Sequence, residues 1–301
     1  VSEDYEYETL LSDVAQLPGK ARRRTLRLFW KVLRLTGNLP DIGVTENLKY
    51  MLHLSNAEAQ RVEEEIVFQD LIVGAEWLAT LRRNHEELWQ DSALISIPGR
   101  EVLDDVGRSG KPLIFAPIHM GCFAMPFAKI MFDHFRSRRM LILRAREDRP
   151  EETLAMRRVS EMGVDMRFLN IHHKQSYFDA VQFAKDGAII VMFVDLPASY
   201  GGAVRVNFFG KPIRLAMGIG SLARLTGATV IPLSVHSTVQ GDVVNVGRAF
   251  ETYEKGPEEK ERVATIVRRH IEDSVRDSPE QWHMWSRLHE FLEPGPEEEA
   301  A

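Results

Sequence analysis

The chain is expected to fold as an α/β domain: a central mixed, largely parallel sheet covered by helices on both faces, with a helical N-terminal region. Three observations predict it. Beyond Pro98, apolar runs of four to eight residues alternate with amphipathic stretches of helical period, the pattern of a sheet built by strand–helix repeats. Several of these runs, Ala188 to Val194 above all, are apolar at even and odd positions alike, as a strand covered on both faces requires. Before Pro98 the readable periodicity is helical.

Taken in order, "ARRRTLRLFWKVLRL" (21–35) places Leu26, Phe29, Trp30 and Leu33 on one stripe, widened by Leu28, Val32 and Leu35, with Arg24, Arg27, Lys31 and Arg34 on another face. "TENLKYMLHL" follows with Thr45 as a cap. The next helix starts at Ser55 with Glu58 three residues on, the capping-box spacing. "GREVLDDVGRSG" is a short helix ended by Gly. Strands are expected at "KPLIFAPI", "MLILRA", "VDMRFLN", "AIIVMFVD", "ATVIPLSVHS" and "VVNVGRAF". The intervening helices are "CFAMPFAKIMFDHF", "EETLAMRRVSEMG", "SYFDAVQFAKDG" and "AMGIGSLARLTG", and "EEKERVATIVRRHIEDSVRDSP" closes the series. No linker interrupts the run. The expected organisation is one domain over 1–301: a helical region 1–97, an α/β core 98–292 and a disordered acidic tail 293–301.

The composition narrows the function. The 301 residues are 44% apolar and 27% charged, enough for a full core, and the net charge is −6. That balance argues against a general nucleic-acid binder, which needs a basic excess. The single cysteine, Cys122, excludes an intramolecular disulfide and a cysteine-based zinc cluster. A reducing cytoplasm fits. No apolar run reaches the ~18 residues of a membrane span, and the acidic opening "VSEDYEYETLLSD" predicts no secretion signal.

Chemistry in open α/β sheets collects where strands end and helices begin. His119 lies there, two residues after Pro117, and a neutral ring at that place suits a general base; the plain alternative is a structural histidine bonded to backbone. Asp195 leaves a buried strand in the same way. A turn through Gly201 and Gly202 follows, where backbone amides can hold an anion. Cys122, three residues past His119, invites a covalent-nucleophile reading, against that of a small buried hydrophobe.

From about Thr45 to Leu292, the succession "ENLKYML", "GRSGKPLIFAPIHMG", "VDLP", "RVNFFGKPIRLAMGIGSLARLTGATVIP" and "PEQWHMWSRL" resembles the lipid A biosynthesis (lauroyl/myristoyl) acyltransferases of the lysophospholipid acyltransferase superfamily. The resemblance implies helices around a mixed sheet. It also implies acyl transfer from an acyl carrier protein or coenzyme A thioester to a hydroxyl or amine, with no bound cofactor beyond the acyl-ACP or acyl-CoA donor. The family's catalytic motif is a His, four residues, then Asp or Glu. His119 takes the first position as general base, but the second falls on Ala124, which cannot orient an imidazole. Three resolutions stand open. An acid arrives from elsewhere, Asp195 first and Glu147 or Asp148 second; or the acceptor is nucleophilic enough to need less help; or catalysis has been lost and binding kept.

For substrate binding, the sequence offers Arg144 and Arg146 after the next strand, as partners for a phosphate or carboxylate. It also offers Gly121, Gly201, Gly202, Arg205, Phe209 and Gly210 around the "H-x-G" and "FFGKP" blocks, with Arg214 beside them. His172-His173 and "HMWSRLH" lack metal spacing, and no metal is expected. The 20–35 helix invites peripheral contact with the inner membrane face, Phe29 and Trp30 turned toward the lipid. The same basic face would suit an acyl carrier protein, or a charged tRNA in an aminoacyl transferase. Without a spanning segment, the expected acceptor is a soluble or carrier-bound metabolite.

Overall fold

The computed structural model describes residues 2–146, 149–171 and 174–292. Helices α1 (Ser2–Ala15), α2 (Gly19–Thr36), α3 (Thr45–Leu52), α4 (Asn56–Arg82) and α5 (His85–Ser92) come first. A short strand β1 (Ile95–Ser96) and helix α6 (Arg100–Arg108) lead into β2 (Leu113–Pro117), α7 (Ala124–His134), β3 (Met140–Arg144) and α8 (Pro150–Glu161). Then come β4 (Met166–Asn170), α9 (Lys174–Lys185), β5 (Ile189–Val191) and a hairpin of β6 (Ala203–Phe208) and β7 (Lys211–Ala216). Helix α10 (Gly218–Thr226), β8 (Thr229–Ser237), β9 (Asp242–Val246) and α11 (Pro257–Asp277) complete the core.

Seven strands form one sheet in the order β1-β9-β8-β2-β5-β3-β4. Neighbours are parallel except the β8–β9 pair, so the α/β expectation holds. Alternation explains why the strands read as unbroken apolar runs. Ile114, Ala116 and Ile190 face one cluster with Leu222, Val267 and Ile271 of α10 and α11. Leu113, Phe115 and Ile189 face the other with Phe127, Met131 and Val159 of α7 and α8. Both faces of the sheet leave water, and both must be apolar.

At the N-terminal end of α4, the Ser55 hydroxyl accepts from the Glu58 amide and the Glu58 carboxylate accepts from the Ser55 amide at 2.9 Å, the cap that the spacing announces. Thr45, expected as a cap, is instead the first residue of α3, with Val44 at the cap position and no side-chain cap bond, and its hydroxyl donates to Glu63. Three further elements depart from the sequence reading. Strand β1 lies within the region expected to be wholly helical and pairs in parallel with β9. The "VNFFGKP" block is a hairpin: Phe209 (φ 47°) and Gly210 (φ 81°) form its two-residue turn. That is the I′ geometry whose twist suits adjoining strands. A phenylalanine at positive φ is strained. It is retained here because its amide donates to Glu272 Oε1 at 2.8 Å and its ring meets Phe208 edge-on.

The third departure is the rotation of α2. Leu26 and Trp30 are buried, and Trp30 Nε1–H donates to the Glu64 carbonyl at 2.7 Å. Leu28, Val32 and Leu35, expected to widen the buried stripe, face solvent instead, and Trp30 is not available to a lipid surface. The cause is electrostatic. Arg22 and Arg23 are drawn inside, 1% and 3% exposed, onto Glu76 of α4, Asp91 of α5 and Asp242 of β9. Guanidiniums tolerate such burial only when their donors are matched. Arg23 spends its own on both Asp242 oxygens, Glu76 and the Thr238 carbonyl.

Candidate active site

Strands β2 and β5 pair in parallel, with Leu113, Ile114 and Phe115 opposite Ile189, Ile190 and Val191. The ladder runs on past β5: the Met192 amide donates to the Phe115 carbonyl at 2.9 Å and the Val194 amide to the Pro117 carbonyl at 3.0 Å. The constant offset of 76 residues then sets Asp195 opposite His119. Two strand ends that are distant in sequence thus deliver an acid and an imidazole to one rim of the sheet.

Asp195 is fully buried and holds the histidine twice. Its Oδ2 accepts from the His119 backbone amide at 2.8 Å, and its Oδ1 lies 2.8 Å from His119 Nδ1. An ionised carboxylate only accepts, so Nδ1 carries the proton and Nε2 presents a lone pair. Nε2 has no hydrogen-bond partner among the described residues, and the side chain is 32% exposed. The ring stacks on Phe193 with centroids 4.2 Å apart. Phe193 meets Phe123 at 5.4 Å, and Phe123 meets Trp77 of α4 at 5.6 Å. These three half-buried rings make an apolar wall running away from the imidazole. The carboxylate that meets the imidazole is that of Asp195, the first of the acids named from the sequence. Ala124 opens α7, fully buried. Glu147 and Asp148, the second choice, lie outside the described residues, as do His172, His173 and the 293–301 tail.

The C-terminal segment closes the site from behind, which the sequence reading missed. Trp282, 2% exposed, donates Nε1–H to Asp195 Oδ2 at 2.9 Å. The His283 amide donates to the His119 carbonyl at 2.9 Å, and His283 Nε2–H to the Gly121 carbonyl at 3.2 Å. Gln281 anchors the segment by exchanging hydrogen bonds with the backbone of Ser237 on β8. The signal available was the tryptophan in "PEQWHMW": a buried indole N–H needs an acceptor. Trp282→Phe keeps the packing and removes one charge-assisted donor from the carboxylate. The expected result is about a tenfold loss of kcat with KM little changed, and a displaced acid limb of the pH–rate profile. An unchanged kcat and profile would show the indole to be packing alone.

The other expected residues divide by location. Gly121 is buried at φ 58°, and a Cβ there would stand 2.6 Å from the Val235 carbonyl, so only glycine lets the loop after His119 lie against β8. Arg144 ends β3, the next strand beyond β5, and Arg146 follows it; they reach Glu152 of α8 at 3.2 and 2.5 Å. Arg144 also lies over Phe168 at 4.1 Å. By the register Ile142 opposite Val191, Arg144 stands level with Phe193, on the His119 side of the sheet. Gly201 and Gly202 are exposed after a 3-10 turn at Ala198–Tyr200. Arg205 and Arg214 are a cross-strand pair on the exposed face of the hairpin. Phe209 and Gly210 line a separate cavity of about 830 Å³, walled by Met51, Leu54 and Val62 and edged by Arg268 and Arg276; His119 is not among its lining residues. Cys122 is 3% exposed, and burial, helped by the charges of Glu76 and Asp242, raises its thiol pKa. A nucleophile needs the opposite environment, so the small buried hydrophobe is the reading that fits.

No helix among the described residues is long and apolar enough to cross a membrane. A family model described as bacterial lipid A biosynthesis acyltransferase matches residues 5–290. A comparison with curated proteins finds no match to the chain.

Proposed function

The chain belongs to the bacterial lipid A biosynthesis acyltransferase family and is an acyltransferase, and we propose that it moves an acyl group from a carrier-protein or coenzyme A thioester to a hydroxyl or amine, with His119 as general base. The observation that carries this reading is the His119–Asp195 pair with Nε2 facing outward. In the proposed reaction, Nε2 takes the proton of the acceptor O–H or N–H as that oxygen or nitrogen attacks the thioester carbonyl. The tetrahedral intermediate expels the carrier thiolate, which leaves with the proton held on Nε2. Asp195 keeps Nδ1–H in place throughout and stabilises the transient imidazolium.

The wall of Phe193, Phe123 and Trp77 is the surface we assign to the acyl chain, each methylene contributing about 0.8 kcal/mol on burial. Arg144 and Arg146, at the same rim, are assigned to an anionic group of donor or acceptor. Gly121 shapes the loop that carries the base. The exposed hairpin face with Arg205, the Gly201–Gly202 turn and the Phe209–Gly210 tip are assigned to the carrier. The acceptor is read as a soluble or carrier-bound metabolite, with the reaction placed in the cytoplasm.

The test is donor turnover. Acyl-ACP and acyl-CoA of several chain lengths are offered with hydroxyl and amine acceptors, and free carrier thiol is followed together with acylated product. The expected result is stoichiometric release of thiol and appearance of ester or amide. Transfer from a donor without a thioester, and from none with one, would overturn the assignment of the donor.

A further inference from the structure

Helix α2 carries seven lysines and arginines and no acid, in a chain whose net charge is −6. Four are engaged: Arg22 and Arg23 in the interior, Arg27 with Glu65 at 2.6 Å and Arg34 with Glu64 at 2.8 Å. Lys20, Arg24 and Lys31 are exposed and have no ion-pair partner among the described residues. At 3.6 residues per turn these three fall within an arc of about 40°. The adjoining arc of roughly 60° is apolar: Leu28, Val32 and Leu35 stand 64%, 55% and 87% exposed. Singly exposed leucines are ordinary, but a row of three on one helix face is not.

The buried arginines make this face a fixed feature. Arg22 and Arg23 lock the rotation of α2, while Leu26 and Trp30 pack on Phe68, Leu71 and Ile72 of α4. Turning the outer leucines inward would break the ion-pair network.

We propose that the outer face of α2 lies in the interface of an anionic lipid bilayer. Leu28, Val32 and Leu35 enter the boundary of the acyl region, and Lys20, Arg24 and Lys31 meet head-group phosphates. Each half is weak alone. An apolar row with adjoining cations supplies the two signals that stable peripheral attachment needs. The rest of the chain carries excess negative charge and is repelled by such a surface, which leaves this patch to set the orientation. On α4, Trp77 points to Phe123 and the candidate active site. Phe68, Leu71 and Ile72, on the opposite side of that helix, take α2, so docking leaves the His119 rim uncovered. The proposal does not rest on the acyl-transfer reading.

The experiment is sedimentation of the full chain with phosphatidylcholine vesicles, with and without phosphatidylglycerol. Anionic vesicles are expected to bind at least tenfold more tightly than neutral ones, and added salt to reduce that preference. The combined variant Lys20→Glu, Arg24→Glu, Lys31→Glu is expected to lose roughly a hundredfold in affinity, and Leu28→Gln, Val32→Gln, Leu35→Gln about tenfold. A matched reversal of exposed Lys185, Lys255 and Lys260 controls for net charge and should retain most of the binding. Thermal melting checks that each variant folds; if a triple variant does not, single Lys31→Glu and Leu28→Gln carry the comparison. Absence of binding to anionic vesicles, or equal loss in the matched reversal, overturns the proposal. So does capture of an acidic carrier protein by this face while vesicles remain unbound.

Discussion

Replacing His119 by alanine lowers kcat for acyl transfer by about 10²- to 10⁴-fold, a loss of roughly 3 to 5 kcal/mol in barrier lowering. Release of carrier thiol is the measurement, and a wild-type rate would remove His119 from the mechanism. Asp195→Asn belongs to the same experiment. Three donors converge on the Asp195 carboxylate: the His119 ring, the His119 amide and the Trp282 indole. An asparagine amide turns one acceptor oxygen into a competing N–H, so one donor loses its partner and the imidazole its charge complement. We expect a loss of about 10² or more. The two groups act as one unit, so the double variant should be no slower than His119→Ala alone. Losses that multiply would mean that Asp195 serves another purpose.

Glu76→Ala is expected to be the most costly substitution for stability. Burial alone would raise the pKa of this carboxyl, but Arg23 and Arg22 outweigh it and hold the group below the ordinary glutamate range. Removing it leaves two guanidiniums, 1% and 3% exposed, short of their central acceptor. Breaking a buried pair in this way costs about 3–5 kcal/mol, which lowers the melting temperature by something on the order of 10 °C in a chain of this size. The pH dependence has a definite sign. A carboxyl with a depressed folded pKa contributes stability above its unfolded pKa, and that contribution is lost as pH falls through the folded value. Wild type should therefore lose stability below about pH 4.5, and the variant, already weakened at neutral pH, should lose less there. Urea titrations at neutral and acid pH measure both. An unchanged midpoint would show that the network adds nothing net.

Much of this molecule is legible in its sequence. The strands were legible because burial on both faces leaves continuous apolar runs, and the capping box of α4 because three residues suffice to form it. His119 and Asp195 could each be picked out as a polar residue leaving a buried strand. Their union could be named only as one resolution among three, because β3 and β4 lie between them in the chain and only the strand order sets β5 beside β2. The rotation of α2 was hidden for a related reason. Charge spacing along a helix suggests solvent, and the acids that draw Arg22 and Arg23 inside stand up to 219 residues away. The hairpin tip escaped because phenylalanine is not a residue that signals a left-handed turn, and its anchor, Glu272, belongs to α11, 63 residues further on.

The long spacing between base and acid has a practical result. Their encounter needs a whole stretch of intervening chain to be folded back first, a late event wherever distant pairings are slow to close. Recovery of turnover after dilution from denaturant would then act as a stopwatch for sheet closure, lagging behind the return of helical signal.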